Sequence, residues 1–198
     1  MGVFTGLTNK TRENIQLDAG ALYKNFNVAS DTPATATAKL IGATEGGGQL
    51  SFVPEVRQIP VDGAKGPVKG FEVIDSWTAT LTATLKELKP DNIKLALGAA
   101  TVTSSTSPAG YQKIVPDENF EDSDYLTNVT WIGKLLGSDD PVMIVLKNAL
   151  CLNGFNLQVA DKAEGTVPVV LTAHYDVTDL SAIPVEFYTP NMTSTTTT

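Results

Sequence analysis

From Trp77 to Lys86 the chain alternates strictly. Trp77, Ala79, Leu81, Ala83 and Leu85 fall on one side, and Thr78, Thr80, Thr82, Thr84 and Lys86 on the other. A period of two is what a strand with one dry and one wet face requires, because successive side chains point to opposite faces of a sheet. Threonine suits the wet face, since its branched Cβ favours extended backbone. A second long strand is expected from Val142 to about Leu152, apolar on both faces around Met143, Ile144, Val145 and Leu146. It continues through Asn153-Gly154 toward Phe155 and Val159 as a bulge or a hairpin. A third covers Thr166–Thr178, with Val167, Val169, Leu171, Ala173, Tyr175 and Val177 on one face. Shorter candidates are Ala21–Phe26, Gln49–Ile59, Val68–Ile74, Tyr125–Leu136 and Val185–Tyr188. Many strands broken by turn residues predict a mostly-β fold, a β-sandwich or half-barrel.

One helix interrupts the pattern. Pro90–Gly98 opens on a proline and an acid and closes on a glycine, with Ile93 and Leu97 four apart on one face. At about two turns it needs a sheet to lie against. Three stretches are expected to be irregular: Asn27–Ala38, Thr101–Gly110, and Asn191–Thr198, which ends in threonines with no apolar anchor. The chain of 198 residues is long enough for one domain with a sizeable core, taken as residues 1–190, with 191–198 as a flexible tail. No apolar run approaches the roughly 20 residues of a membrane span. Met1–Thr5 lacks the basic-then-apolar order of a secretory signal.

The net charge of −8 is unevenly distributed. Residues 1–100 carry ten basic and ten acidic side chains; residues 101–198 carry four basic and twelve acidic, the entire excess. Five of the eight residues from Asp117 to Asp124 are acidic. Such a surface repels phosphate and argues against gripping DNA through its backbone. The run reads as a solvated loop or as part of a negative wall.

Catalytic constellations are scarce. Cys151, the single cysteine, sits in the apolar run Ala149–Leu152 and reads as a buried thiol. His174, the single histidine, has no Gly-x-Ser-x-Gly elbow to serve. Gly46-Gly47-Gly48 is followed by no Gly-Lys-Ser/Thr, so it reads as a flexible turn entering a strand. Asp122-Ser123-Asp124 lacks the glycine and distal glutamate of a calcium loop. No catalytic, cofactor or metal site is expected. Trp77 and Trp131 leave open a carbohydrate-stacking platform, against the plainer role of core residues.

Gln49–Gly70 stands apart. It is two extended segments around an Asp62-Gly63 turn, with prolines at 54, 60 and 67 and the mixed charges Glu55, Arg57, Asp62, Lys65 and Lys69. Prolines confine a strand to an edge. A long projecting hairpin of mixed charge suits docking onto another copy of the chain, against the alternative of a mobile surface loop.

Three blocks carry a family resemblance: Leu17–Phe26 (LDAGALYKNF); Leu40–Gly47 through Pro54–Arg57 and Val61–Gly66; and Thr80–Leu88 leading into Asn92–Leu97. Over about residues 14–100 they resemble the tail tube (major tail) proteins of long-tailed bacteriophages of Gram-positive hosts. The resemblance implies a β-sandwich or half-barrel with a flanking helix, assembled edge to edge into six-membered rings that stack into a tube. By position, Gln49–Gly70 (about 45–70 with its flanks) becomes the stacking loop, with a terminal arm over about 1–16. Pro90–Gly98 becomes the flanking helix, and the strand bearing Thr78, Thr80, Thr82 and Thr84 a candidate lumen wall. The implied partners are further copies of the chain together with tape-measure and tail-tip or terminator proteins. DNA would pass without specific binding, no membrane is involved, and the place is the virion tail, assembled in the host bacterial cytoplasm. A head–tail terminator, or the tube of a contractile or bacteriocin-type particle, shares this architecture. A DNA conduit gains from neutral or acidic walls, because attractive contacts would slow the genome.

Overall fold

The computed structural model describes residues 6–8 and 10–191. In chain order the elements are β1 (Gln16–Lys24), β2 (Thr44–Gln58), β3 (Glu72–Leu85), α1 (Pro90–Leu97), β4 (Ala100–Thr106), β5 (Ala109–Pro116), β6 (Leu126–Leu135), β7 (Pro141–Cys151), β8 (Val167–Thr172) and β9 (Val185–Tyr188), with single 3-10 turns at Thr37–Lys39 and Asp122–Asp124. The fold is mostly β, every strand pairing is antiparallel, and α1 is the one α-helix among the described residues.

One sheet runs β1-β6-β7-β8-β3-β2, with β9 added to β7, and β4 and β5 form a separate two-stranded ribbon. The long sheet curls until its two ends approach. Just before β2, Leu40 bridges to Tyr23 of β1, and the Ile41 N–H donates to the Leu22 carbonyl at 2.9 Å. Inside this half-barrel lie Leu22, Leu81, Ala83, Leu85, Val129, Leu146, Val169 and Leu171, all buried. Their alternation with exposed or half-exposed neighbours along β3 and β8 is the period-two pattern of the sequence, closed on itself.

The outer faces of the two halves differ. Outside β1, β6 and β7, the segment after β1 folds back so that Phe26 and Ala36 cover Tyr23, Ile132 and Met143. The stretch Asn27–Ala38, irregular as expected, is therefore a cover over a second small core. Asn128 fixes it in place, exchanging hydrogen bonds with the Phe26 backbone N–H and carbonyl, both at 2.9 Å. Among the described residues no comparable cover lies over the threonine face of β3, where Thr78 and Thr82 are exposed.

The helix matches its expected bounds. Ala96 is fully buried, and Leu95 packs beside Ala149 and Cys151 of β7. Gly98 ends it at φ +78°, donating its N–H to the Lys94 and Leu95 carbonyls. A Cβ there would sit 2.5 Å from the Cys151 carbonyl oxygen. Gly98→Ala therefore combines a disfavoured backbone region with a clash against main chain. We expect a loss of about 2–3 kcal/mol in urea unfolding; a change within error would show that α1 shifts freely on the sheet.

Several expected boundaries change. Of the expected strand Val68–Ile74, residues 68–71 belong to the hairpin tip, while Glu72–Ile74 joins Trp77–Leu85 in one strand, β3, where a bulge between the Glu55 and Val56 registers inserts a residue and breaks the alternation. Thr101–Gly110 is not a loop but most of the β4–β5 ribbon, paired from Ala100–Pro116 to Thr106–Ala109. Gly46-Gly47-Gly48 lies within β2, across another register shift. Thr166–Thr178 is too long: β8 stops at Thr172, and Asp176 begins turns that its carboxylate stabilises by accepting from the Thr178 N–H and hydroxyl. β7 ends at Cys151, and the chain beyond forms a loop clasped by the Gln158–Thr166 bridge. Of the expected arm 1–16, Glu13 and Ile15 already pair with Gly137 and Leu136. The expected flexible tail lies outside the described residues after Asn191.

Candidate assembly surface

β2 and β3 form a long hairpin registered from Thr44–Leu85 to Gln58–Glu72. Its base belongs to the half-barrel and its end projects. Facing pairs on the inner side are Leu50–Leu81, Phe52–Ala79, Pro54–Trp77 and, past the bulge, Val56–Ile74. The first pairs enter the core. Val56 and Ile74, on the same stripe, are each 51% exposed, and Ile59, Val61 and Phe71 of the tip are exposed beyond them. The stripe that builds the core thus runs on past the body with nothing in the described chain to cover it. At its root Phe52 stacks on Trp77 with ring centres 4.3 Å apart, and Phe187 of β9 tilts against Phe52.

The charged residues take the opposite face or the tip. The Glu55 carboxylate accepts from the Ser76 hydroxyl at 3.0 Å, and Arg57 pairs with Asp75 at 3.0 Å, so both are engaged within the hairpin. Asp62 and Gly63 form the expected turn, with the Ala64 N–H donating to the Val61 carbonyl and Gly63 at φ +85°. Asp62, Lys65 and Lys69 sit exposed on the tip. The structure therefore separates the five residues into a root pair, Arg57 ion-paired and Glu55 hydrogen-bonded to a hydroxyl, and a tip trio facing solvent.

The threonine wall is continuous with neighbouring strands. Thr78, Thr80, Thr82 and Thr84 lie opposite Val53, Ser51, Gln49 and Glu45 of β2; on the other side Thr80, Thr82 and Thr84 lie opposite Thr172, Val170 and Pro168 of β8. The outer face of this half-sheet is predominantly polar and uncharged at its centre. At its end Lys86 lies between two carboxylates, 3.2 Å from Glu164 and 3.3 Å from Glu45. Hydrogen bonds to Glu164 and then Glu45 hold the Lys86 amine above its usual range. Glu164 is held below the usual carboxylate range by its own backbone N–H and then by Lys86. The cation on the wall is thus masked. Sequence reading placed Lys86 on the wet face but missed its acids, which come from a β2 residue and from the loop before β8.

The two tryptophans have local roles. Trp131 donates its indole N–H to the Ala19 carbonyl at 2.9 Å and lies over Gly20, where φ +73° and the ring leave no room for a Cβ. Trp77 packs on Phe52, and its backbone N–H donates to the Tyr175 hydroxyl. Cys151 is buried, and burial pushes its thiol up. His174 Nδ1 lies 3.1 Å from the Asn148 carbonyl, with the ring edge-on to Tyr125. Among the described residues no group of three metal-ligating side chains converges, and no helix is long and apolar enough to cross a membrane.

No family model and no curated relative matches this chain. Among solved structures, it is similar to a chain in the tail of an empty gene transfer agent particle with C6 symmetry, at TM-score 0.42 and 9% identity, covering 86% of this chain and 96% of that one. It is also similar to a chain in the virion of a native gene transfer agent particle, at TM-score 0.41 and 10% identity, covering 85% and 96% respectively. Similarity at this level does not establish a shared family.

Proposed function

We infer that the chain is a structural subunit, not an enzyme, that assembles into stacked six-membered rings forming a tail tube for DNA delivery. The observation that carries this reading is the β2–β3 hairpin, whose core-facing stripe continues uncovered beyond the body. Burying a half-exposed Val or Ile is worth about 1 kcal/mol each, more than the ~0–1 kcal/mol of an exposed ion pair. The stripe therefore supplies affinity for another copy, and the charges around it supply orientation. Among the described residues β2 also leaves one side of its ladder unpaired along the hairpin, an open edge that a ring closes. The resemblance over residues 14–100 supports the same reading and supplies the ring number.

Negative-stain microscopy of the purified chain, alone or with nucleating tail-tip proteins, is expected to show rings or hollow tubes. A protein that stays monomeric under both conditions excludes the reading. The threonine face lines the lumen in this arrangement, with Lys86 masked. Replacing both Glu45 and Glu164 with Gln uncovers that lysine in every copy. Assembled tubes of E45Q/E164Q should bind DNA about tenfold more tightly than wild type at low salt, and added salt should abolish the gain. Equal retention by the two proteins would place this face away from the channel. Because Glu164 titrates below the ordinary carboxylate range, its half of the mask persists on acidification until pH falls through that lowered pKa, and is lost below it.

A further inference from the structure

We propose that the seat for the hairpin tip is the opposite end of a second copy of this chain, the surface formed by residues 117–124 and the loop 152–166. This rests on the tube reading and names the partner surface within it. β3 leads away from the tip for 14 residues, about 45 Å at the rise of an extended strand. Just past its far end Lys86 lies 3.2 Å from Glu164, which places the loop 152–166 there. There too the end of α1 lies against Phe120 and Cys151, as the close approaches to Gly98 show. Residues 117–124 and 152–166 therefore share the end remote from the tip.

The two ends are complementary. The tip offers Lys65 and Lys69 against the single acid Asp62, beside the exposed Ile59, Val61 and Phe71. The far end offers five acids and no base within residues 117–124, and Asp161 and Glu164 against the single base Lys162 in the loop 152–166. Beside them Phe120 is 52% exposed, Leu152 55% and Val159 74%. Three of the five acids within residues 117–124 have work inside the chain: Asp117 accepts from the Thr101 hydroxyl, and Glu121 and Asp124 form a reciprocal cap on the short 3-10 turn. Glu118 and Asp122 make no hydrogen bond or ion pair among the described residues, and both are exposed. Tip against tip would set lysines against lysines. Tip against far end joins opposite charges and buries apolar side chains on both sides, and a contact between unlike ends propagates instead of closing into a pair.

The test is a charge exchange. K65E/K69E reverses the tip and E118K/D122K reverses the far end; the four changes together restore opposite charges with the signs exchanged. Circular dichroism checks that each variant folds. Each double variant is expected to lose long tubes in negative stain and to need about tenfold or more protein before sedimentable assemblies appear. The quadruple variant is expected to recover both. Double variants that assemble like wild type overturn the proposal, as does a quadruple variant that stays as defective as the doubles. In that second case wild-type tubes leave the tube reading standing and put the seat elsewhere, or on a different protein. Absence of rings and tubes from the wild type overturns both.

Discussion

Replacing residues 59–71 by an Asn-Gly turn should yield a subunit that folds normally and forms no tubes. Gln58 and Glu72 are the last registered pair of the hairpin, so a two-residue turn can join them without disturbing the ladder below. Every residue removed is exposed except Val68, which is half-buried, and none belongs to either core cluster. Shortening the loop also lowers its closure entropy. The melting temperature should therefore stay within about 2 °C of wild type or rise slightly. Assembly should be lost at any practical concentration, because the tip's apolar side chains and both tip lysines leave together. Tubes of normal length from the shortened chain would remove the hairpin tip from the stacking contact.

Leu81→Ala should have the opposite profile, a large loss of stability through the core. Leu81 is 1% exposed and lies between Leu50 of β2 and Leu171 of β8 at the centre of the half-barrel. Neighbours on strands paired to both sides cannot collapse far into the space, so the loss should be about 3–4 kcal/mol, a large part of the ~5–15 kcal/mol that stabilises a domain. Thr82→Ala, one residue on and facing outward, should stay within about 0.5 kcal/mol. Urea unfolding of the two variants measures the contrast directly. Similar losses in both would contradict the assignment of inside and outside on β3.

The legible parts of this fold are those where period-two alternation runs unbroken. Trp77–Lys86 displayed both faces of β3 in sequence, and α1 was visible from its terminal proline and glycine. The first part of β3 reads in sequence as a separate strand because one bulged residue near Asp75 and Ser76 shifts the phase, and local alternation holds no memory across such a shift. Thr101–Gly110 reads as a loop because five of the seven residues of β4 are Ser or Thr and Pro108 and Gly110 mark the turn into β5. A two-stranded ribbon outside the main core has no need of an apolar face that sequence could reveal. At the candidate surface, the hairpin and its charged residues were legible, but their division was not. Arg57 finds Asp75 across a hairpin, and Lys86 finds Glu164 at a sequence separation of 78, distances over which composition says nothing about pairing.

The register of the hairpin also has a mechanical meaning. In the proposed tube, force along the stacking axis would enter each subunit at the tip and pass into β3, which is laddered to β2 over thirteen residue pairs and to β8 over six more. A pull on the tip along the hairpin loads these backbone hydrogen bonds in shear, so they must yield together, where a sideways pull would open them one after another. A filament stacked through the tips in the proposed way would be stiff against stretching, while its joints at the tips would bend.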